Sequence, residues 1–178
     1  MIASPQGANA YSNFRNRLVY IKRNFWSGFL FGIGLAAFID EVVFHQLLQW
    51  HHFYDRSTLS AALVSDGLFH AFGWFATVAS LFLFASLRRR NALWPKRWAG
   101  AVLFGAGIFQ LYDGIVQHKL LKLHQIRYNV DILPYDIVWN AIAAAMIIAG
   151  TILLLQTRRE IWNKKKDEKL NSKPDYRK

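Results

Sequence analysis

The sequence contains no cysteine and only two methionines among its 178 residues. This absence excludes disulfides, thiolate metal ligands and iron–sulfur clusters within the chain. It also excludes a Cu(I) relay built from soft sulfur ligands. Any metal site in this chain must therefore use the oxygen and nitrogen ligands that aspartate, glutamate and histidine supply.

Charged residues are scarce in four long apolar stretches. Each stretch is long enough to cross a hydrocarbon layer of ~30 Å at about 1.5 Å per residue. A soluble bundle would need a charged face on every helix, whereas residues 75–87 and 141–155 carry no charge at all. The sequence therefore predicts an all-α integral membrane four-helix bundle. Its predicted spans are Phe25–Trp50, Ser60–Leu87, Trp98–Leu121 and Leu133–Thr157.

The formal net charge of +11 is distributed unevenly along the chain. Basic residues concentrate before the first span, between the second and third spans, and after the fourth. By the positive-inside rule, both termini and the central loop are cytoplasmic, and the loops at 52–58 and 125–131 face outward. The charge thus predicts topology and contact with a lipid membrane, not a nucleic-acid partner.

The chain divides into three predicted regions. Residues 1–24 form a basic cytoplasmic or interfacial lead-in, residues 25–157 form the four-helix domain, and residues 158–178 form a basic cytoplasmic tail.

An internal repeat relates the two halves of the domain. Residues 40–51 and 113–124 both read Asp-x4-His-x-Leu-Leu-x2-His, and residues 66–70 and 136–140 both read Asp-x3-(His or Asn). The pattern predicts a tandem repeat of one helical hairpin, with repeat one at about 25–87 and repeat two at about 98–157. Two hairpins of the same orientation imply a pseudo-two-fold axis along the membrane normal.

The polar residues of the repeat fall into three predicted layers of depth, with the middle ring roughly 8–9 Å below the outer interface and the lower ring near ~15 Å. The layers are a mouth of His51, His52 and His124, a middle ring of His45, Asp66, His118 and Asp136, and a lower ring of Asp40, His70, Asp113 and Asn140.

Each ionisable group at the centre of a membrane span raises the free energy of membrane insertion by ~2.5–3.5 kcal/mol. Several such groups together therefore indicate a functional role. Histidine and aspartate on facing helices are ligands suited to Zn, Fe, Mn or Cu(II), and a cation would relieve repulsion between carboxylates. One transition-metal ion, or two, is the leading prediction. The predicted ligands are His45, Asp66, His70, His118, Asp136, Asp40 and Asp113, with Glu41, His51, His52, His124 and Asn140 as second-tier ligands or supporting groups.

Helical phase constrains this site. At about 100° per residue, His45 points ~140° away from Asp40 on a regular α-helix, and His118 points away from Asp113 by the same angle. Either the site is extended, or a bulge near Gly114 and its counterpart re-aims the side chains. Asp66 and His70 lie at i and i+4, which predicts them as the most secure ligand pair.

Other chemistries remain open alternatives. The Glu-x-x-His motif of carboxylate-bridged di-iron bundles and the His-Glu-x-x-His motif of zinc hydrolases are both absent. Haem held by axial histidines on facing helices, His45 or His70 with His118, as in an electron-transfer protein, is the second choice of cofactor. A proton or cation pathway without a permanent metal is the third reading, and interhelical hydrogen bonding alone is the purely structural one.

The motifs Asp-Glu-Val-x-Phe-His at 40–45, Asp-Gly-x-x-His at 66–70 and Asp-Gly-x-x-x-His at 113–118 resemble those of an uncharacterised family of small bacterial four-helix membrane proteins, a domain of unknown function. The resemblance spans about residues 25–157. It implies a bacterial cytoplasmic membrane and four helices, and it brings no activity or assigned ligands.

The residues themselves therefore carry the functional prediction of a membrane metalloprotein with a site toward the extracytoplasmic side. Its role is either redox or oxygenase chemistry, as in a metal-dependent membrane oxidoreductase, or metal handling. A respiratory or metal-trafficking membrane protein is the predicted partner class.

The topology can be tested by cysteine labelling, because the natural chain has no cysteine to interfere. Single cysteines at Ser57 and Asn129 should react with an impermeant thiol reagent in intact cells, and one at Asn91 should not. The reverse labelling pattern would invert the predicted orientation.

Overall fold

The computed structural model describes the backbone of residues 5–171 and the side chains of residues 18–163. Within that part of the chain all regular structure is helical. The elements in order are α1 (Pro5–Ile39), π1 (Asp40–Leu47), α2 (Leu59–Arg89), α3 (Pro95–Tyr112), π2 (Asp113–Leu120) and α4 (Leu133–Asn171). The segment π1 continues α1 and π2 continues α3, so four continuous helical rods result.

Four helices are long and apolar enough to cross a membrane, at Leu18–Leu47, Leu59–Arg89, Pro95–Leu120 and Leu133–Asn163. Their outward faces carry many exposed large apolar side chains, such as Leu68 at 70% exposure and Phe82 at 71%. A soluble protein rarely exposes a contiguous apolar surface of this extent. The predicted all-helical fold with four membrane spans is confirmed, although the first and fourth helices extend further at their basic ends than predicted.

The helix boundaries follow from local sequence signals. Thr58 caps α2 by accepting a hydrogen bond from the N–H of Ala61 (3.3 Å), and Pro95 occupies the first turn of α3. Arg88 and Arg89 lie in the last turn of α2, where their charge complements the helix dipole.

The helices α1 and α3 form the centre of the fold. Among residues 5–171, the backbone of α1 approaches α2 and α3, and that of α4 approaches α3. Aromatic contacts, including the stacked rings of Phe69 and Phe109, connect α2 to α3. Because α2 and α4 are peripheral, most of their surface faces outward. Most of the buried polar residues lie on α1, on π1 and π2, and in the turns that follow the two π-helical segments. The predicted pseudo-two-fold axis stays a prediction.

Small and polar residues hold the helices together, as expected where lipid removes the hydrophobic contribution to helix association. Ser27 and Ser80 exchange reciprocal hydrogen bonds from their hydroxyls to each other's backbone carbonyls (3.1 and 2.7 Å) across α1 and α2. Gln110 and Trp139 form the corresponding reciprocal pair between α3 and α4 (2.9 and 3.0 Å). A reciprocal pair of hydrogen bonds therefore links α2 to α1, and another links α4 to α3.

Glycine permits the closest approach, which is that of α1 to α3. A Cβ atom at Gly32 would overlap the backbone carbonyl oxygen of Val102, and a Cβ atom at Gly105 would overlap that of Phe29. Neither backbone can yield without separating the two central helices.

We expect Gly32→Ala to destabilise the protein by about 1–3 kcal/mol, the usual cost of overpacking. Gly67→Ala is the matched control, since a Cβ there has no neighbour within 4 Å and alanine favours a helix by roughly 0.5–1 kcal/mol over glycine. Unfolding in detergent would measure both changes. Equal stability of the two variants would contradict the close approach of α1 and α3.

Candidate metal centre

The helical geometry changes where the repeat motif begins. Both π1 and π2 are π-helical for eight residues, and a π-helix forms i to i+5 hydrogen bonds. The wider turn brings residues five apart closer in direction than an α-helix does. His45 Nε2 lies 3.9 Å from Asp40 Oδ2, and His118 Nε2 lies 3.0 Å from Asp113 Oδ2. Because aspartate and histidine point in different directions on an α-helix, the sequence predicts either an extended site or a helical bulge. The structure shows a local widening of the helix, as the second prediction requires.

A left-handed residue follows each π-helical segment, two positions after its last residue. Gln49 and Lys122 both have φ of 51°, and neither is a glycine, so each adopts an uncommon conformation. The reversal turns the next residues back into the protein. As a result, His51 and His124, which the sequence places at the outer mouth, are only 3% and 2% exposed.

The two returning histidines are fixed by a reciprocal pair of hydrogen bonds. His51 Nδ1 lies 2.9 Å from the carbonyl oxygen of Ile126, and His124 Nδ1 lies 2.9 Å from that of Phe53. A carbonyl oxygen only accepts, so each Nδ1 carries the proton. Each Nε2 is consequently left with a free lone pair that points into the protein.

Four imidazoles form one continuous cluster at this end of the fold. The rings of His51 and His124 are stacked, with centroids 4.5 Å apart and 5° between their planes. His45 lies 4.5 Å from His51 on one side, and His118 lies 4.7 Å from His124 on the other. The cluster thus draws one flanking and one central imidazole from each half of the chain.

An aspartate stands beside each half of the cluster. We name Asp40, His45 and His51 the first triad, and their ligand atoms lie within 4.8 Å of one another. The second triad is Asp113, His118 and His124, in which Asp113 lies 3.0 Å from His118 Nε2 and 3.6 Å from His124 Nε2. All six residues are at most 5% exposed.

Buried ligand-type atoms in both triads have no hydrogen-bond partner within the described structure. They include the Nε2 atoms of all four histidines, Oδ1 of Asp40 and Oδ2 of Asp113. Asp113 Oδ2 and His118 Nε2 are 3.0 Å apart, yet they lack the alignment of a hydrogen bond. Orphaned polar atoms are rare in native proteins, and a shared cation is one explanation for atoms that converge in this way.

The electrostatics keep His51 neutral. It lies in the loop after the first membrane span. Burial, together with the neighbouring imidazoles of His124 and His45, lowers its pKa to about 2. A neutral imidazole with one free ring nitrogen is the form in which histidine binds a metal.

A second group of residues surrounds His45. Its Nδ1 is 3.2 Å from Asp66 Oδ1 and 2.9 Å from Glu41 Oε2. Asp66 also binds His52 Nδ1 (2.6 Å) and accepts from the N–H of Phe53 (2.7 Å). Glu41, His45 and Asp66 form a further set of converging ligand atoms, although the oxygens of Asp66 are already occupied by hydrogen bonds.

The predicted layers do not stay separate in the structure. The first triad joins a residue from the lower ring, one from the middle ring and one from the mouth, because the π-helix and the left-handed turn bring them together. The four residues of the predicted middle ring do not converge on one point either. The carboxylate of Asp136 binds the ammonium of Lys119 instead. Asn140 donates to the carbonyl oxygen of Asp136 (2.9 Å).

The predicted pair of Asp66 and His70 is also separated. Asp66 is 1% exposed, whereas His70 is exposed and packs its ring against Phe38. The buried residues of α2 follow a narrow stripe along the side that faces α1, and position 70 lies off it. The stripe is Ala62, Asp66, Phe69, Gly73, Ser80 and Leu87.

Four membrane-length helices with buried carboxylates and imidazoles at one end define a polytopic α-helical membrane protein with a candidate metal centre. The chain belongs to the family described as "Predicted membrane protein (DUF2243)", whose model matches residues 27–157. The match includes both repeat motifs and confirms the predicted membership in a membrane protein family of unknown function. No curated protein and no solved structure matches the chain.

The tautomer of His51 can be tested directly. Its pKa of about 2 means that the imidazole stays neutral from pH 7 down to pH 4. In metal-depleted protein, ¹⁵N spectra should show a protonated Nδ1 and a bare Nε2 over this range. Protonation of both nitrogens at pH 5 would contradict the buried, carbonyl-bound geometry.

Proposed function

We propose that the protein is an integral membrane metalloprotein that binds a transition-metal ion in each of its two triads. The observation that carries this proposal is the set of four buried imidazoles whose Nε2 atoms have no hydrogen-bond partner in the described structure. The two central imidazoles are already locked in the ligand tautomer by backbone carbonyls, as metal-binding histidines generally are.

The spacing of the ligand atoms supports a shared cation. Two ligands at about 2.0–2.1 Å from a tetrahedral ion lie about 3.3 Å apart. The distances from Asp113 to His118 and His124 are 3.0 and 3.6 Å, and that from Asp40 to His45 is 3.9 Å. Small side-chain movements suffice to complete either triad around an ion.

The charge of the site supports the same conclusion. Five buried carboxylates lie at this end of the fold, each at most 8% exposed. The ammonium of Lys119 is the one lysine or arginine group bound to these five in the described structure. Buried anions require a compensating positive charge. The carboxylates are those of Asp40, Glu41, Asp66, Asp113 and Asp136.

The ligand set narrows the chemistry. Each triad consists of two histidines and one aspartate, the combination that non-haem Fe(II) oxygenases use while leaving coordination positions open. Zn, Mn and Cu(II) also accept these ligands. A redox or oxygenase centre is therefore the role that the ligand set supports best, and metal handling for a partner is the alternative that the same ligands serve.

Haem receives less support from the geometry. Axial imidazoles lie on opposite faces of the macrocycle, so a ring system must fit between them. The candidate axial pair His45 and His118 is separated by the stacked rings of His51 and His124, so no ring system fits between them. His70, the other candidate, is exposed. A metal-free proton pathway along the same residues is the competing function, and metal analysis separates it from a metalloprotein.

In this proposed function the protein resides in a bacterial cytoplasmic membrane with both termini in the cytoplasm. The basic segments next to the spans support that orientation, which places the centre toward the extracytoplasmic side. A respiratory or metal-trafficking membrane protein is the partner class for such a centre.

Metal content tests the proposal. We expect purified wild type to contain a transition metal, and His45→Ala and His118→Ala each to lose metal. His70→Ala is the matched control, because His70 is exposed and outside both triads. Elemental analysis measures the content, and an optical spectrum distinguishes Fe, Cu and haem from colourless Zn.

Thermal stability provides a second test. An ion that binds only the folded state stabilises it by about 2.7 kcal/mol at 100 times its Kd. A chelator should therefore lower the Tm of wild type and of His70→Ala more than that of His45→Ala or His118→Ala. If wild type holds no metal, and added Zn, Cu, Fe or Mn leaves its Tm unchanged, the metalloprotein function is wrong. The proton pathway or a purely structural role for these residues then replaces it.

A further inference from the structure

The two flanking histidines have different surroundings on the side away from the cluster. Nδ1 of His45 is hydrogen-bonded to Asp66 and lies 2.9 Å from the carboxylate of Glu41. The position of Asp66 is itself fixed by the N–H of Phe53 and by His52. His45 is therefore held in one orientation by a carboxylate that cannot move freely.

His118 lacks this support. Its Nδ1 is buried without a hydrogen-bond partner in the described structure. Gly114 occupies the position of the repeat that corresponds to Glu41, and a Cβ there would lie only 2.7 Å from Asn140 Oδ1 and from a ring carbon of Trp139. A glutamate side chain fits at this position only if the side chains of Asn140 and Trp139 shift.

Asp136 is the repeat counterpart of Asp66, but its partner is different. Its carboxylate is bound by the ammonium of Lys119, and Lys119 directly follows His118 in the chain. The second half of the site thus has two carboxylates and one ammonium. The first half has three carboxylates, those of Asp40, Glu41 and Asp66, and no ammonium bound to them in the described structure.

We infer that the two triads bind metal unequally: the first triad holds its ion tightly, and the second triad exchanges its ion, with Asp66 as the positioning residue that makes the difference. This inference rests on the proposed metal-binding function. A carboxylate that accepts the Nδ1 proton fixes the ring and makes Nε2 a better donor, and losing such a partner costs 10–100-fold in metal affinity. The more negative first half also attracts a cation more strongly.

In the experiment, the metal-depleted full-length protein is titrated in detergent with a metal ion. Binding of Zn²⁺ is measured by calorimetry, and binding of Co²⁺ is measured by its visible absorption. We expect two binding steps whose affinities differ at least tenfold. His45→Ala should remove the tighter step and His118→Ala the weaker one.

The role of Asp66 is isolated by a matched pair of variants. Asp66→Asn should weaken the tighter step 10–100-fold and leave the weaker step within about threefold. Asp136→Asn, at the equivalent position, should leave the tighter step within the same limit. Asp66→Glu should restore part of the lost affinity, which a general loss of packing would not allow. Glu41→Gln is a second, milder variant, with a smaller effect on the tighter step, in case Asp66→Asn fails to fold.

Several results would overturn the inference. They are two ions bound with equal affinity, loss of the tighter step in His118→Ala, and equal weakening of both steps by Asp66→Asn. Binding of a third ion that Asp66→Asn abolishes would make Asp66 a ligand and not a positioning residue. Equal affinities leave the proposed metal-binding function intact, whereas the binding of no ion overturns both.

Discussion

Buried negative charge is the constraint on which this end of the protein depends. Carboxylates in a low-dielectric interior need partners, and removing a partner from such a group typically costs several kcal/mol. Some of these carboxylates find partners within the chain. The ammonium of Lys119 binds Asp136, and the N–H of Phe53 and the Nδ1 atoms of His45 and His52 bind Asp66. The aspartates of the two triads are left facing imidazole nitrogens, and the proposed cation would supply the positive charge that these groups lack.

The π-helical segments place the buried carboxylates next to imidazoles. A regular α-helix would direct each aspartate and the histidine five residues later to different faces, one of them toward lipid. The π-helical segments bring both onto the same buried face. Such segments are rare and occur mostly at functional sites, and the left-handed Gln49 and Lys122 add further local strain. Strain that recurs at both copies of the motif is what a functional requirement produces.

Local features of the sequence predicted the fold well. Span length and loop charge are properties of contiguous residues, so the four helices were predictable, and the repeat identified the six residues of the triads. The burial of His51 and His124 was not, because it follows from left-handed residues that are not glycines and so carry no turn signal. The exposure of His70 depends on which neighbour α2 packs against. The pairing of Asp136 with Lys119 joins two helices. Neither the exposure of His70 nor this pairing can be predicted from a single segment of sequence.

The reciprocal hydrogen bonds of the central histidines link the two halves of the chain. His51 takes its orientation from the carbonyl of Ile126, which is synthesised 75 residues later. A nascent first hairpin therefore contains Asp40, His45 and His51 without the contact that orients the last of them. In the proposed metalloprotein, the first hairpin therefore leaves the ribosome with its ligands incompletely oriented. The first triad would bind metal fully only after the second hairpin has been inserted beside it, so metal loading would depend on assembly of both hairpins.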